Sequence, residues 1–147
     1  MEARTKKLLK SILGWIIYIV VIIGLIYGIP KGLSYALKTD YPMASITSGS
    51  MWPALKRGDL ILIKGVNGKK EIEIGDIVVY KNPEGFTIHR IIEMREDTFV
   101  TKGDANNIKD SPARYEELIG KTLTFKNKPV RIPFLGMVNI LINKVKA

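Results

Sequence analysis

Three stretches of the sequence carry side chains that could cooperate in nucleophilic chemistry. ITSGSMWPALKRGD, residues 46–59, sets Ser48 and Ser50 on either side of Gly49, with Pro53 three places after the second serine. FTIHRII, residues 86–92, holds His89, the one histidine of the chain. TKGDANNIKD, residues 101–110, holds Asp104 and Asp110 in a polar, asparagine-containing run. A serine hydroxyl is a weak nucleophile until a base takes its proton as it attacks. Neutral imidazole suits that task near pH 7, because its reference pKa is about 6.5. A carboxylate on the other ring nitrogen fixes the tautomer and stabilises the imidazolium that forms. Serine, base and acid are all present, but spacing along the chain does not show that they meet.

Each residue also has a plainer reading. Ser-Gly-Ser is more often a turn than a nucleophile, and an aspartate after glycine, as at Asp104, is an ordinary turn residue. Met51 reads as core filler and Pro53 as a stiffener of its loop. Gly49 is expected to let the chain turn tightly beside a substrate. His89 could be a half-buried, hydrogen-bonded strand residue. Asp110, ahead of Ser111 and Pro112, could be a local cap, and Arg90 reads as an ion-pair residue. Lys81 and Lys102 are rival bases, yet each would need a strongly lowered pKa to be neutral.

The elements that must position these groups begin with the N-terminus. Residues 1–10 carry Arg4, Lys6, Lys7 and Lys10 against Glu2, and residues 11–30 carry no charge. About 20 apolar residues cross the roughly 30 Å of a bilayer core, and Trp15, Tyr18 and Tyr27 lie toward the two ends as interfacial aromatics do. The run is longer than the core of a cleavable secretory signal, about 7–15 residues, and PKGLSYALK follows it without a clear cleavage site. It reads as a retained anchor. The positive-inside rule puts its N-terminus in the cytoplasm and the chain beyond about residue 31 outside. Residues 31–42 read as a juxtamembrane linker, a short amphipathic continuation ending before Pro42.

From residue 43 the periodicity changes to β. Residues 59–64, 76–81, 86–92, 98–102 and 120–126 are short runs rich in β-branched side chains, separated by Gly58-Asp59, Asn67-Gly68, Gly75-Asp76, Asn82-Pro83 and Glu84-Gly85. The repeated Gly-Asp reads as one turn solution used twice. The fold class expected is mainly β: a small antiparallel barrel or sandwich over residues 43–129, with an N-terminal transmembrane helix and a short C-terminal amphipathic helix. In the tail, residues 130–147, Leu135, Val138, Leu141, Ile142 and Val145 fall at helical spacing beside Lys144 and Lys146. That stripe could lie in the membrane interface, dock on a helix, or close the core, with the interface favoured.

Net charge is +9, cysteine is absent and aromatics make up 8% of the chain. These exclude disulfides, a thiol nucleophile and thiolate or histidine-rich metal sites. A basic charge admits anionic lipid or nucleic acid as a partner, but no aromatic-rich strand pair supports nucleic acid, and none is expected outside the cell.

SGSMWP, GDLILI, GDIVVY, IHRI and KGDANNIKD, in this order behind an N-terminal anchor, resemble type I signal peptidase, in its archaeal and endoplasmic-reticulum branch. The resemblance covers residues 43 to about 137 and implies a membrane-bound serine endopeptidase that removes signal peptides from exported preproteins. It implies Ser50 as nucleophile, His89 as base where the bacterial branch has lysine, and Asp110 as the acid that orients His89. Asp104 is the competing acid or a structural support, and Ser48 with the Ser50 N–H would stabilise the oxyanion. No metal or cofactor is implied. Ala54 stands where many bacterial members have threonine, and Ala105 displaces Asn106 and Asn107 from a plain Gly-Asp-Asn-Asn pattern. Signal peptides end in small-x-small patterns, so small apolar pockets are expected, with Met43, Ile46 and Ile88 as walls. The partners expected are preprotein signal peptides, the bilayer and unspecified membrane-protein subunits. The alternative is a membrane-anchored basic β-domain that binds or scaffolds without catalysis.

Overall fold

The computed structural model describes residues 2–83 and 85–146, excepting the side chains of residues 2, 3, 5 and 142–146. Glu84 of the expected Glu84-Gly85 turn and the side chains of Ile142, Lys144, Val145 and Lys146 in the tail stripe therefore lie outside the described residues. The chain divides into two units, residues 1–36 and 37–147.

The first unit is one helix, α1, Glu2–Leu37. At 1.5 Å per residue its 36 residues extend about 54 Å, and residues 6–37 are long and apolar enough to cross a membrane. It runs seven residues beyond the expected span, into the segment read as a linker, and stops where Lys38 takes φ 52°, a left-handed conformation that ends helices.

The second unit is built on an antiparallel sheet. Its strands are β1 (Met43–Ser45), β2 (Leu60–Gly65), β3 (Ile77–Asn82), β4 (Gly85–Met94), β5 (Thr98–Lys102), β6 (Ala113–Arg114) and β7 (Leu118–Thr122), in the spatial order β1-β2-β7-β3-β4-β5-β6. The expected strand 120–126 is broken at Leu123, whose N–H bonds to Leu62 O at 2.9 Å. Beyond it β8 (Thr124–Phe125) and β9 (Lys128–Pro129) form a hairpin, and β10 (Arg131–Ile132) adds to β2. Lys126 and Asn127 turn that hairpin with φ 50° and 61°, the positive pair that suits a two-residue connection.

β3 explains how the sheet is packed. Its first four residues are all buried, and alternation sends Ile77 and Val79 to one face, Val78 and Tyr80 to the other. One cluster gathers Ile46, Met51, Leu55, Ile61, Ile63, Ile77 and Val79; the second gathers Ile72, Val78, Tyr80, Ile91, Phe99 and Ala113. A strand buried on both faces reads as an unbroken apolar run, which is what IVVY is.

The two Gly-Asp pairs make the same turn. Gly58 and Gly75 take φ 90° and 100°, where a β-carbon is strained. Asp59 Oδ2 accepts the Lys56 N–H at 2.9 Å, and Asp76 Oδ2 accepts the Glu73 N–H at 3.1 Å. Each carboxylate then takes a cation from a distant element: Arg131 at 2.8 Å from Asp59, and Lys121 at 2.9 Å from Asp76. The chain closes with α2, Gly136–Lys146, which rests on the sheet unit through Asn139, whose Nδ2 donates to Ser45 Oγ at 3.4 Å, and through Met137 against Gly58. Leu135, Val138 and Leu141 remain exposed.

Asp59 is the more enclosed of the two turn carboxylates, at 4% side-chain exposure against 16% for Asp76. Asp59→Ala, which strands the Lys56 N–H and Arg131, is expected to cost about 2 kcal/mol and more than Asp76→Ala. Thermal unfolding of both variants in detergent checks the order; equal midpoints would refute it.

Candidate active site

Ser50 lies on a loop closed at its base and nailed down beyond its tip. Ile46 N–H bonds to Asp59 O at 2.9 Å and Gly58 N–H to Ile46 O at 2.8 Å, which pins the two ends together. Within the loop Met51 and Leu55 are fully buried in the first core cluster. Met51 is thus core filler, and by that burial it also fixes the residue beside Ser50.

His89 comes from β4, opposite Val78 of β3. Pairing between β4 and β5 begins at Arg90 with Lys102; residues 85–89 of β4 pair on the β3 side only. β5 therefore ends beside Arg90, and the loop that follows falls next to His89. By alternation Lys102, opposite Arg90, and Lys81, opposite Phe86, project to the other face from His89.

These placements bring Ser50, His89 and Asp110 into line. His89 Nε2 is 3.1 Å from Ser50 Oγ, and His89 Nδ1 is 2.6 Å from Asp110 Oδ2. The His89 side chain is 12% exposed and that of Asp110 23%, so the pair is shielded from water without being sealed. Ser48 Oγ is 3.0 Å from Ser50 Oγ and 3.4 Å from the Ser50 backbone N.

The two aspartates have different partners. Asp104 forms a two-pronged ion pair with Arg90, Nε to Oδ1 at 2.8 Å and Nη2 to Oδ2 at 2.7 Å, while Arg90 Nη1 donates to Gly75 O at 2.7 Å. The hydrogen bond to Asp104 raises the Arg90 pKa further against the opposing effect of burial. This clamp ties the loop after β5 to the sheet next to His89.

Residues outside the expected set complete the site. Ser50 O accepts the Ala105 N–H at 2.8 Å, and a β-carbon on Gly103 would stand 2.7 Å from the same oxygen and 2.8 Å from Asn106 Nδ2. Gly103 is therefore the glycine that the site demands. At Gly49 φ lies outside the left-handed region and a β-carbon meets no protein atom within 4 Å. Behind Asp110, Thr101 Oγ1 donates to Oδ2 at 2.6 Å and lies 3.0 Å from the Tyr80 hydroxyl. Burial, the largest effect, raises the Tyr80 pKa, so the phenol stays protonated. Thr101 had one legible signal: in TFVTK it shares the buried face of Phe99, an inward position for a hydroxyl.

A groove of about 470 Å³ runs from Ser50 and His89 between β1 and the start of β4. Met43, Ile46 and Ile88 all line it, and Tyr41 and Phe86 meet there with ring centroids 5.1 Å apart.

Residues 27–122 match the family described as peptidase S24-like. The signal peptidase complex catalytic subunit SEC11 of Metarhizium acridum is 34% identical over 122 residues, and that of Sclerotinia sclerotiorum 34% over 129. The SEC11 of Neurospora crassa is 33% identical over 129 residues. Each match takes in 78% of this chain and 71% of the relative. The chain belongs to the S24-like peptidase family, in its signal peptidase branch. It is a serine peptidase.

For this peptidase the placement of Ser50 depends on Gly103. Gly103→Ala is expected to lower turnover by roughly a hundredfold, since a shift near 1 Å in a reacting group costs about that much. Gly49→Ala is expected to leave the unfolding midpoint unchanged. Turnover and melting curves for the pair provide the check, and a fully active Gly103→Ala would refute the packing argument.

Proposed function

We propose that the chain is a membrane-anchored signal peptidase in which Ser50 is the nucleophile, His89 the general base and Asp110 the acid that orients it. The observation that carries this reading is the unbroken contact series from Ser50 Oγ through His89 to Asp110 at the end of an apolar groove. Ser50 Oγ attacks the scissile carbonyl carbon as its proton passes to His89 Nε2. The carbonyl oxygen, now an oxyanion, takes hydrogen bonds from the Ser50 N–H and the Ser48 hydroxyl. His89 delivers the proton to the leaving amine, leaving an ester on Ser50. Water, deprotonated by His89, then hydrolyses that ester and releases the new carboxyl terminus. Asp110 accepts the Nδ1–H throughout, so that Nε2 faces the serine. Asp104 supports the site through Arg90.

The substrate class is the signal peptide of an exported preprotein, by analogy with relatives named as catalytic subunits of a signal peptidase complex. Two strand edges border the groove: that of β1 away from β2, and residues 85–88 of β4 away from β3. An extended peptide can add to such an edge by main-chain hydrogen bonds, with alternate side chains entering pockets. Met43, Ile46 and Ile88 would form apolar pockets that reject bulky residues at the third and first positions before the cut. With α1 across the cell membrane, its N-terminus cytoplasmic and the β-domain outside, the enzyme meets the cleavage site where a signal peptide leaves the bilayer. The naming of its relatives as subunits supports further membrane-protein partners.

Cleavage of a preprotein by the detergent-solubilised protein tests the assignment. Ser50→Ala is expected to abolish it. His89→Ala is expected to abolish it as well, because the serine is then left without a base. Undiminished cleavage by His89→Ala would move the base to another residue, and undiminished cleavage by Ser50→Ala would remove the nucleophile. Ser48→Ala is expected to lower turnover by about 10²–10³, the usual loss for one oxyanion donor. Enlarging Ile88 should narrow the residues tolerated next to the cut; an unchanged preference would exclude it from the pocket.

A further inference from the structure

Asp110 is useful to His89 only if its carboxylate stays where the imidazole needs it, and it lies on a loop. What holds it there is a single residue of β5. Thr101 closes the loop at two points: its backbone O accepts the Asp110 N–H at 2.9 Å, and its Oγ1 donates to Asp110 Oδ2 at 2.6 Å. A main-chain contact alone would leave the side chain free to rotate. Adding the hydroxyl fixes the carboxylate itself, on the same oxygen that faces His89 Nδ1.

The direction of the hydrogen bonds follows from counting protons. Thr101 has one hydroxyl proton, and Asp110 takes it. The contact of 3.0 Å between Tyr80 and Thr101 must then be filled by the Tyr80 proton, given to Thr101 Oγ1. Burial, which raises the Tyr80 pKa, keeps that proton in place over any working pH. The Tyr80 hydroxyl also lies 3.5 Å from Asp110 Oδ2, at the outer limit of a hydrogen bond. Thr101 is 1% exposed and Tyr80 4%, so water does not compete for these bonds. Each partner is also set by the sheet: Tyr80 on the central strand β3, Thr101 opposite Ile91 on β5. A hydrogen-bonded series in a low-dielectric interior strengthens each of its bonds and orients its end before the reaction begins.

We infer that Thr101 and Tyr80 are positioning residues for the hydrolysis, forming a buried hydroxyl relay that fixes Asp110 Oδ2 on His89 Nδ1. The inference rests on the triad reading above. Neither residue touches the substrate or Ser50; both act through Asp110. The loss of either should therefore appear in turnover and not in substrate affinity.

Three variants and two readouts test this. Thr101→Val keeps the shape and removes the donor; it is expected to lower kcat about tenfold at unchanged KM, the usual effect of losing a hydrogen bond to a charged group. Thr101→Ser, which keeps the hydroxyl, should restore kcat to within about threefold of wild type, as one retained bond allows. Because His89 is the one histidine in the chain, its Nδ1 proton gives a single imidazole resonance by proton NMR in detergent. That signal should lie at low field in wild type, shift or broaden in Thr101→Val, and return in Thr101→Ser. A kcat within twofold of wild type in Thr101→Val with an unmoved resonance overturns the relay, as does failure of Thr101→Ser to restore either readout. If Thr101→Val does not fold, Tyr80→Phe reads the relay one step back: a loss of about threefold in kcat supports it, and wild-type kcat with an unmoved resonance overturns it. Cleavage by Ser50→Ala would instead signal failure of the triad reading. The resonance then decides the relay alone, since it needs no turnover.

Discussion

In the proposed mechanism a proton crosses the 3.1 Å between Ser50 Oγ and His89 Nε2, and the two residues stand 39 positions apart in the chain. Neither side chain can hold that distance alone. Much of the β-unit can be understood as the means of keeping it. On the serine side the loop is clasped at Ile46, Gly58 and Asp59 and sunk into the core by Met51 and Leu55. On the histidine side β4 is locked to the central strand β3 over six residue pairs. The two sides are then joined directly, since the loop after β5 gives the Ala105 N–H to Ser50 O and the Asp110 carboxylate to His89.

That loop divides its two carboxylates between two jobs. Asp104 is spent on a cation: Arg90 grips both of its oxygens and reaches back to Gly75. Among the described residues Asp110 is paired with no arginine. Its Oδ2 lies 2.6 Å from His89 Nδ1 and accepts the Thr101 hydroxyl instead. The difference has a chemical consequence. A carboxylate already neutralised by a guanidinium has less to offer an imidazolium, whereas one held by neutral hydroxyls keeps its charge for the histidine. Adjacent positions on β4, His89 and Arg90, point to opposite faces and so draw the two aspartates apart.

The groove has a similar economy. β1 is three residues long and β4 extends past the end of β5, so two strand edges are left near one another beside Ser50. Exposed edges are usually a hazard because they invite pairing with other chains. In the proposed mode of substrate binding that hazard is put to use. Relatives named as signal peptidase catalytic subunits match over most of the chain, and its groove ends at a serine.

Much was legible before any coordinates. An uncharged run over residues 11–30 needs only its length and composition to be read as a helix able to span a bilayer. The strands at 60–65, 77–82 and 98–102 lie within a residue of their β-branched runs, because alternation and Gly-Asp turns are local signals. Ordered motifs pointed to Ser50, His89 and the pair of aspartates. Three matters were settled only in the folded chain. The choice between Asp104 and Asp110 as the partner of His89 depends on which face of β4 each loop residue meets. The demand for glycine at position 103 depends on a backbone oxygen brought from another segment. The Thr101 and Tyr80 hydroxyls matter because β5 and β3 are set so that both converge on Asp110. Periodicity and turn chemistry act between neighbours in sequence and can be read there. Contacts between residues far apart along the chain exist only once the sheet has closed.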